Sequence, residues 1–200
     1  TLEEVKQWPF TVWNEPVTSK KMFGFGDDAL FFRFYKHTYD TVKRLCPEIQ
    51  FGSPSMLYIE NLGNADWIYR FIGWCREQSC MPDFMNIHYY ADIILPTSSD
   101  DFFLTKATAS CFPKATDDFS LFIGGIKKIF KTLGVQDKPV YMTEWNFTMS
   151  HRNLISDTSF KTCYIMKNLL KNYDRLDSFC YWSLTDLIRE NPLPPNQFHG

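Results

Sequence analysis

The chain has 200 residues, a formal net charge of −2, and 21 Lys and Arg scattered among 23 Asp and Glu. That length supports one sizeable core or two small ones, and the lack of a basic stripe argues against a nucleic-acid partner. No apolar run approaches the roughly 20 residues that span a bilayer, so no membrane partner is expected. No secretory leader is visible either, and the start at Thr1 and stop at His199-Gly200 suggest a piece of a longer protein.

In chain order, the first strand-like run is PFTVWNE, Pro9 to Glu15, and a polar, Gly-rich loop follows from Val17 to Asp28. Ala29 to Leu45 carries Leu30, Phe31, Phe34, Tyr35, Thr38, Val42 and Leu45 at helical spacing. Pro47 stops that helix, and IQFGSPSM reads as the second strand. Asn64-Ala65-Asp66 opens a second helix with Trp67, Ile68, Phe71, Ile72 and Cys75 on its apolar face, and Pro82 introduces a third strand, DFMNIHYY. The stretch Ala91 to Thr116, rich in Ser, Thr and Asp, has the length of a lid or binding loop. A helix over Asp117 to Leu133 contains Gly124-Gly125 and closes on Gly134, a C-terminal cap. KPVYMTEWN is the fourth strand. Asp157 to Tyr173 is the fourth helix, with Phe160, Cys163, Tyr164, Met166, Leu169 and Leu170 apolar, and LDSFCYWSLTD is the fifth strand.

The order β-α-β-α-β-α-β-α-β predicts parallel strands joined by right-handed crossovers, an α/β protein. A doubly wound sheet and part of a (β/α)₈ barrel both satisfy it. No GxGxxG or Walker motif sits at a strand-to-helix turn, and Gly24-Phe25-Gly26 is too bare to count, which weakens the nucleotide-binding version.

The six cysteines show no CxxC, and the four histidines form no HExxH or HxxxH pair, so no metal site and no cofactor is expected. Cys75, Cys163 and Cys180 lie inside apolar patterns and read as buried reduced thiols. Reduced cysteines lean towards a cytoplasmic protein, with secretion left open. The sequon Asn146-Phe147-Thr148 lies at an apolar strand end and is expected to stay unmodified. Aromatic residues (19 Phe, 10 Tyr and 6 Trp) are the compositional outlier. They suit a bulky core, flat platforms for a sugar ring, or both.

Polar residues collect at the strand C-terminal ends: Asn14-Glu15, His88-Tyr89-Tyr90, Glu144-Trp145-Asn146, and Trp182, Ser183 and Asp186. Parallel β/α folds gather such ends on one face, where barrels build their sites. Glu15 and Glu144 are therefore expected to converge. Two carboxylates among aromatic rings and amides suit glycosidic-bond cleavage, one protonating the leaving oxygen and the other attacking the anomeric carbon.

The stretches EEVKQWPFTVWNEP, FGSPS, DFMNIHYY, KPVYMTEWN, DSFCYWSLTD and QFHG, in this order, resemble glycoside hydrolase family 39, the β-xylosidases and α-L-iduronidases. The resemblance covers nearly the whole chain. It implies a (β/α)₈ TIM-barrel fold, present as strands four to eight of one partial catalytic domain over residues 1–200, and a retaining exo-acting β-xylosidase-like hydrolase. By the same resemblance Glu15 is the general acid/base and Glu144 the nucleophile. Asn14 bonds the sugar 2-hydroxyl, His88 and Tyr90 line the pocket, Trp182 floors it, and Glu190 is the second of a glutamate pair whose first member is Arg189 here. The implied partner is a xyloside or xylo-oligosaccharide. Open sheet edges in such an arc lead us to expect that the piece either self-associates or rearranges its edges. Two other readings compete: a non-catalytic, self-associating half-barrel, and an α-L-iduronidase-like or arabinosidase-like hydrolase.

Overall fold

Helix α1 (Leu2–Val5) is followed by β1 (Pro9–Phe10), α2 (Asp28–Leu45), β2 (Gln50–Phe51), α3 (Asn64–Glu77), β3 (Met85–Tyr90), α4 (Asp118–Thr132), β4 (Val140–Asn146), α5 (Ser159–Asn172) and β5 (Ser178–Tyr181). This computed structural model describes residues 1–16, 27–56, 64–91, 117–147 and 158–183. The expected loop at 91–116, except its first residue, lies outside them, as do Cys111, Asp186, Arg189 and Glu190. From β1 onward, strands and helices alternate as the sequence predicts. Helix α1 was not anticipated, because its single turn is too short to show a period.

Strands β1 and β2 pair in parallel, Pro9 with Gln50 and Phe10 with Phe51. The expected strand to Glu15 is interrupted because Trp13 and Glu15 take left-handed backbone angles, φ 67° and 43°. A single parallel bridge between Asn14 and Ser55 resumes the pairing. The segment after β2 runs beside β3: the amide of Asp83 donates to Phe51 O at 2.9 Å, Ser53 to Phe84 O at 3.0 Å, and His88 to Met56 O at 2.7 Å. Partners that advance together on both segments are the sign of parallel pairing. Strands β3, β4 and β5 form a sheet in that order.

The chain packs as two compact units, the first from residues 1–88, 127–143 and 176–178, the second from 89–126, 144–175 and 179–200. In the first, α2 starts at Asp27, whose carboxylate accepts from Ala29 N at 2.8 Å. Its Phe32 meets Trp67 of α3 at 5.3 Å, Tyr35 meets Phe71 at 4.9 Å, and Trp67 stacks on Phe71 at 5.1 Å. Most of the aromatic surplus in this unit is therefore core, each ring contributing about 1.5–3 kcal/mol by burial. The buried face of α2 is Phe31, Phe32 and Tyr35, whereas the expected Leu30 and Leu45 are exposed. The ring of Phe32 fits the α3 aromatics, and this rotates the buried stripe away from Leu30.

In the second unit Phe119 packs against Trp145 at 4.9 Å and against Tyr89 at 5.2 Å, while Phe147 meets Tyr164 at 5.4 Å. Helix α5 departs from expectation. Its buried residues are Tyr164, Asn168 and Asn172, and Phe160, Cys163, Met166 and Leu170 are exposed. Asn168 Nδ2 donates to Tyr164 O and Asn172 Nδ2 to Asn168 O, both at 2.9 Å, which pairs the amide donors, whereas Asn168 Oδ1 is buried without a partner among the described residues. Cysteines follow the same split: Cys46, Cys75 and Cys80 are buried, but Cys163 and Cys180 are exposed, against the expectation for the last two. No helix among the described residues is long and apolar enough to cross a membrane.

Candidate active site

The corner after β1 sets the first half of the site. Thr11 Oγ1 donates to Ser53 O at 2.7 Å, fixing the approach of the chain. The left-handed turns at Trp13 and Glu15 each cost about 1–3 kcal/mol and persist only where the surroundings hold them. Ser55 does so. Glu15 N donates to Ser55 O at 3.1 Å and lies 3.3 Å from Ser55 Oγ, which in turn sits 3.2 Å from Asn14 Oδ1.

The result is a glutamate turned inward. Glu15 is 8 % exposed, and its Oε1 lies 2.7 Å from Nδ1 of His88, itself 3 % exposed. The far nitrogen, Nε2, lies 3.1 Å from Thr143 Oγ1 in β4. Thr143 Oγ1 then makes a short hydrogen bond to Asn86 Oδ1. Asn86 N donates to Ser53 Oγ at 2.8 Å, closing the chain back onto the segment after β2. A buried carboxyl in contact with an imidazole is an arrangement that can hold and deliver a proton.

In the second unit, Glu144 is half-buried near the end of β4. The next residue, Trp145, is buried, edge-on to Tyr181 at 5.7 Å. Asn146 Nδ2 donates to Trp182 O at 2.6 Å, and its Oδ1 accepts from Phe147 N at 2.6 Å and Tyr181 OH at 2.9 Å. Burial pushes the Tyr181 phenol up, against the opposing pull of its bond to Asn146. Trp182 N donates to Trp145 O at 3.0 Å. With its backbone tied at both sides, Trp182 is still 45 % exposed as a residue.

Of the residues singled out in the sequence, Glu15, His88 and Asn14 come together in the first unit. Asn14 is exposed and joins the others through Ser55. Glu144, Tyr90 and Trp182 belong to the second unit, where Tyr90 is buried at the end of β3. Glu190 is outside the described residues. Sequence reading missed Ser53, Ser55, Asn86 and Thr143. Asn86 had a signal: it stands two residues before His88 on a strand, hence on the same face.

A parallel α/β fold whose buried carboxyl–imidazole pair sits where a strand ends belongs with enzymes that assemble their sites from strand termini. Comparison with known proteins narrows this. Residues 1–200 match glycosyl hydrolases family 39, and the chain belongs to that family. It is 28 % identical to a β-xylosidase of Geobacillus stearothermophilus over 202 residues, covering 100 % of this chain and 38 % of that protein. A β-xylosidase of Caldicellulosiruptor saccharolyticus is 28 % identical over 199 residues, covering 98 % of this chain and 37 % of its own length. The crystal structure of a GH39 enzyme from Xanthomonas axonopodis pv. citri superposes with a TM-score of 0.78 at 25 % identity, over 99 % of this chain and 37 % of that one. The chain thus spans well under half the length of these relatives.

Proposed function

We propose that the chain carries the catalytic carboxylates of a retaining, exo-acting β-xylosidase-like hydrolase, as strands four to eight of a (β/α)₈ barrel. Glu15 is the general acid/base and Glu144 the nucleophile. Protonation of the leaving oxygen by Glu15 accompanies attack of Glu144 on the anomeric carbon, and Glu15 then activates the water that releases the sugar. Asn14 holds the 2-hydroxyl, His88 and Tyr90 line the glycone pocket, Trp182 lies under the sugar ring, and Glu190 is a further substrate-binding residue. The observation that carries this reading is the buried contact of 2.7 Å between Glu15 and His88, which holds a carboxyl group inward at a strand end beside a group that can exchange protons with it. Similarity to two β-xylosidases supports the choice of sugar.

Hydrolysis of aryl β-xylosides tests it. Glu144→Ala should abolish turnover of every glycoside. Glu15→Gln should cut turnover of poorly activated ones by about 10²–10⁴-fold, the usual contribution of a general acid. Retention further requires the two carboxyl groups to stand about 5–5.5 Å apart in the working enzyme. Equal loss of turnover on all substrates with Glu15→Gln would sink the assignment of roles. A chain that binds xylo-oligosaccharides without hydrolysing them would be the sugar-binding half-barrel instead. Faster cleavage of uronides than xylosides would favour the iduronidase-like reading.

A further inference from the structure

We propose that Asn146 is a positioning residue for Trp182: its side-chain amide is inserted into the pairing between β4 and β5 and sets where Trp182 stands against the strand end that carries Glu144. The backbone bonds around it show the insertion. Asp177 N donates to Val140 O and Trp182 N to Trp145 O, both at 3.0 Å, so the partners advance by five residues along both segments, the parallel sense. In a parallel ladder, a residue that donates to the carbonyl one place before its partner accepts from the amide one place after it. The regular donor to Trp182 O is therefore Phe147 N. Two bonds take the place of that one: Phe147 N donates to Asn146 Oδ1, and Asn146 Nδ2 donates to Trp182 O, each at 2.6 Å. The strands are thus held apart by the width of an amide at the point where Trp182 leaves the sheet.

The orientation of this amide is fixed by its neighbours. Trp182 O is a carbonyl oxygen and can only accept, while Phe147 N is a backbone amide and can only donate. Turning the group over would set donor against donor and acceptor against acceptor. Tyr181 OH, 2.9 Å from Oδ1, adds a third bond to the same side chain. Through it, both polar main-chain groups of Trp182 are tied to consecutive residues of β4, its N to Trp145 and its O to Asn146. The length of the side chain matters as well. Alanine would leave the gap unfilled and let Phe147 N bond directly to Trp182 O, drawing Trp182 towards β4, and glutamine would push the two apart by a further methylene.

The inference rests on the proposed place of Trp182 under the sugar ring, but its first test does not use activity. In the chain labelled with 5-fluorotryptophan, the fluorine NMR resonance of Trp182 is assigned by its loss in Trp182→Phe. That resonance should be displaced in Asn146→Ala, and also in Asn146→Gln, which serves if the alanine variant does not fold. An unmoved resonance overturns the proposal. The second test is kinetic. Asn146→Ala should raise KM for an aryl β-xyloside about tenfold with kcat little changed, the mark of binding lost equally from ground and transition states. Trp182→Ala should raise KM at least as far, and the double variant should be no worse than Trp182→Ala alone. Additive losses in the double variant would mean that Asn146 acts apart from Trp182 and overturn its role. Failure of every glycoside to turn over, with the Trp182 resonance displaced in Asn146→Ala, would count against the glycosidase reading and leave the placement of Trp182 by Asn146 standing.

Discussion

At the residue scale, much of the geometry depends on how closely the backbone segments approach. Gly52, just after β2, illustrates this. A Cβ placed on it would sit 2.2 Å from Cε2 of Phe84, a ring that also packs on Tyr141 at 4.7 Å. Gly52→Ala should therefore destabilise the protein by about 1–3 kcal/mol through overpacking. Urea unfolding would measure it, and adding Phe84→Leu should recover part of the loss. If Gly52→Ala unfolds like the wild type, the close approach is not limiting. Such positions were hard to read in the sequence, where FGSPS looks like an ordinary turn-rich strand. Glu15 and His88 were legible because charged or titratable groups at apolar strand ends are out of character. Ser53, Ser55 and Thr143 were not, since short hydroxyls are unremarkable until their partners, 33 to 57 residues away, are known.

At the scale of elements, strand and helix alternation was plain from periodicity, and the boundaries of α2, α4 and α5 fall within two residues of those expected. Faces were less legible. In α5 the apolar count pointed to the side now exposed, because hydrophobicity alone says nothing of an asparagine ladder whose amide nitrogens donate to the helix's own carbonyls. Asn172 has a further tie: its Oδ1 accepts from Arg175 Nη1 at 2.8 Å, and the same nitrogen donates to Ser120 O of α4 at 3.1 Å. Asn172→Ala should cost about 1–3 kcal/mol by breaking this bracket. Leu170→Ala, at a site 70 % exposed, should change stability by less than about 0.5 kcal/mol. Thermal denaturation of the two variants compares them directly. The opposite ranking would restore the apolar face as the packed one.

At the scale of the whole molecule, burial of titratable groups makes stability depend on pH. Tyr35 is fully buried, with its hydroxyl donating to Gly52 O at 3.2 Å, and burial raises its pKa well above the ordinary 10.0. Tyr39 is raised in the same direction, also by burial. The folded state thus resists ionisation more than the unfolded one. This contribution is fully present below pH 10 and is lost as pH rises from there towards the folded-state value. Urea midpoints should fall steeply above pH 10. Tyr35→Phe should lose about 0.5–1.5 kcal/mol at neutral pH, from the hydrogen bond to Gly52, but show a shallower alkaline decline. An unchanged alkaline slope would show that another group governs it.

The paired left-handed residues around Asn14 bear on how this corner could be moved or found elsewhere. Four letters, WNEP, do not specify it, because an isolated chain has no reason to hold Trp13 and Glu15 at φ 67° and 43°. What fixes them is a serine 40 positions downstream, which receives the Glu15 amide and meets the Asn14 side chain. A graft of the tetrapeptide alone onto a new scaffold would relax and swing its carboxyl outward. The transplantable unit is two segments, WNEP and GSPS, held in parallel register, and a search for relatives of this corner does better to ask for both.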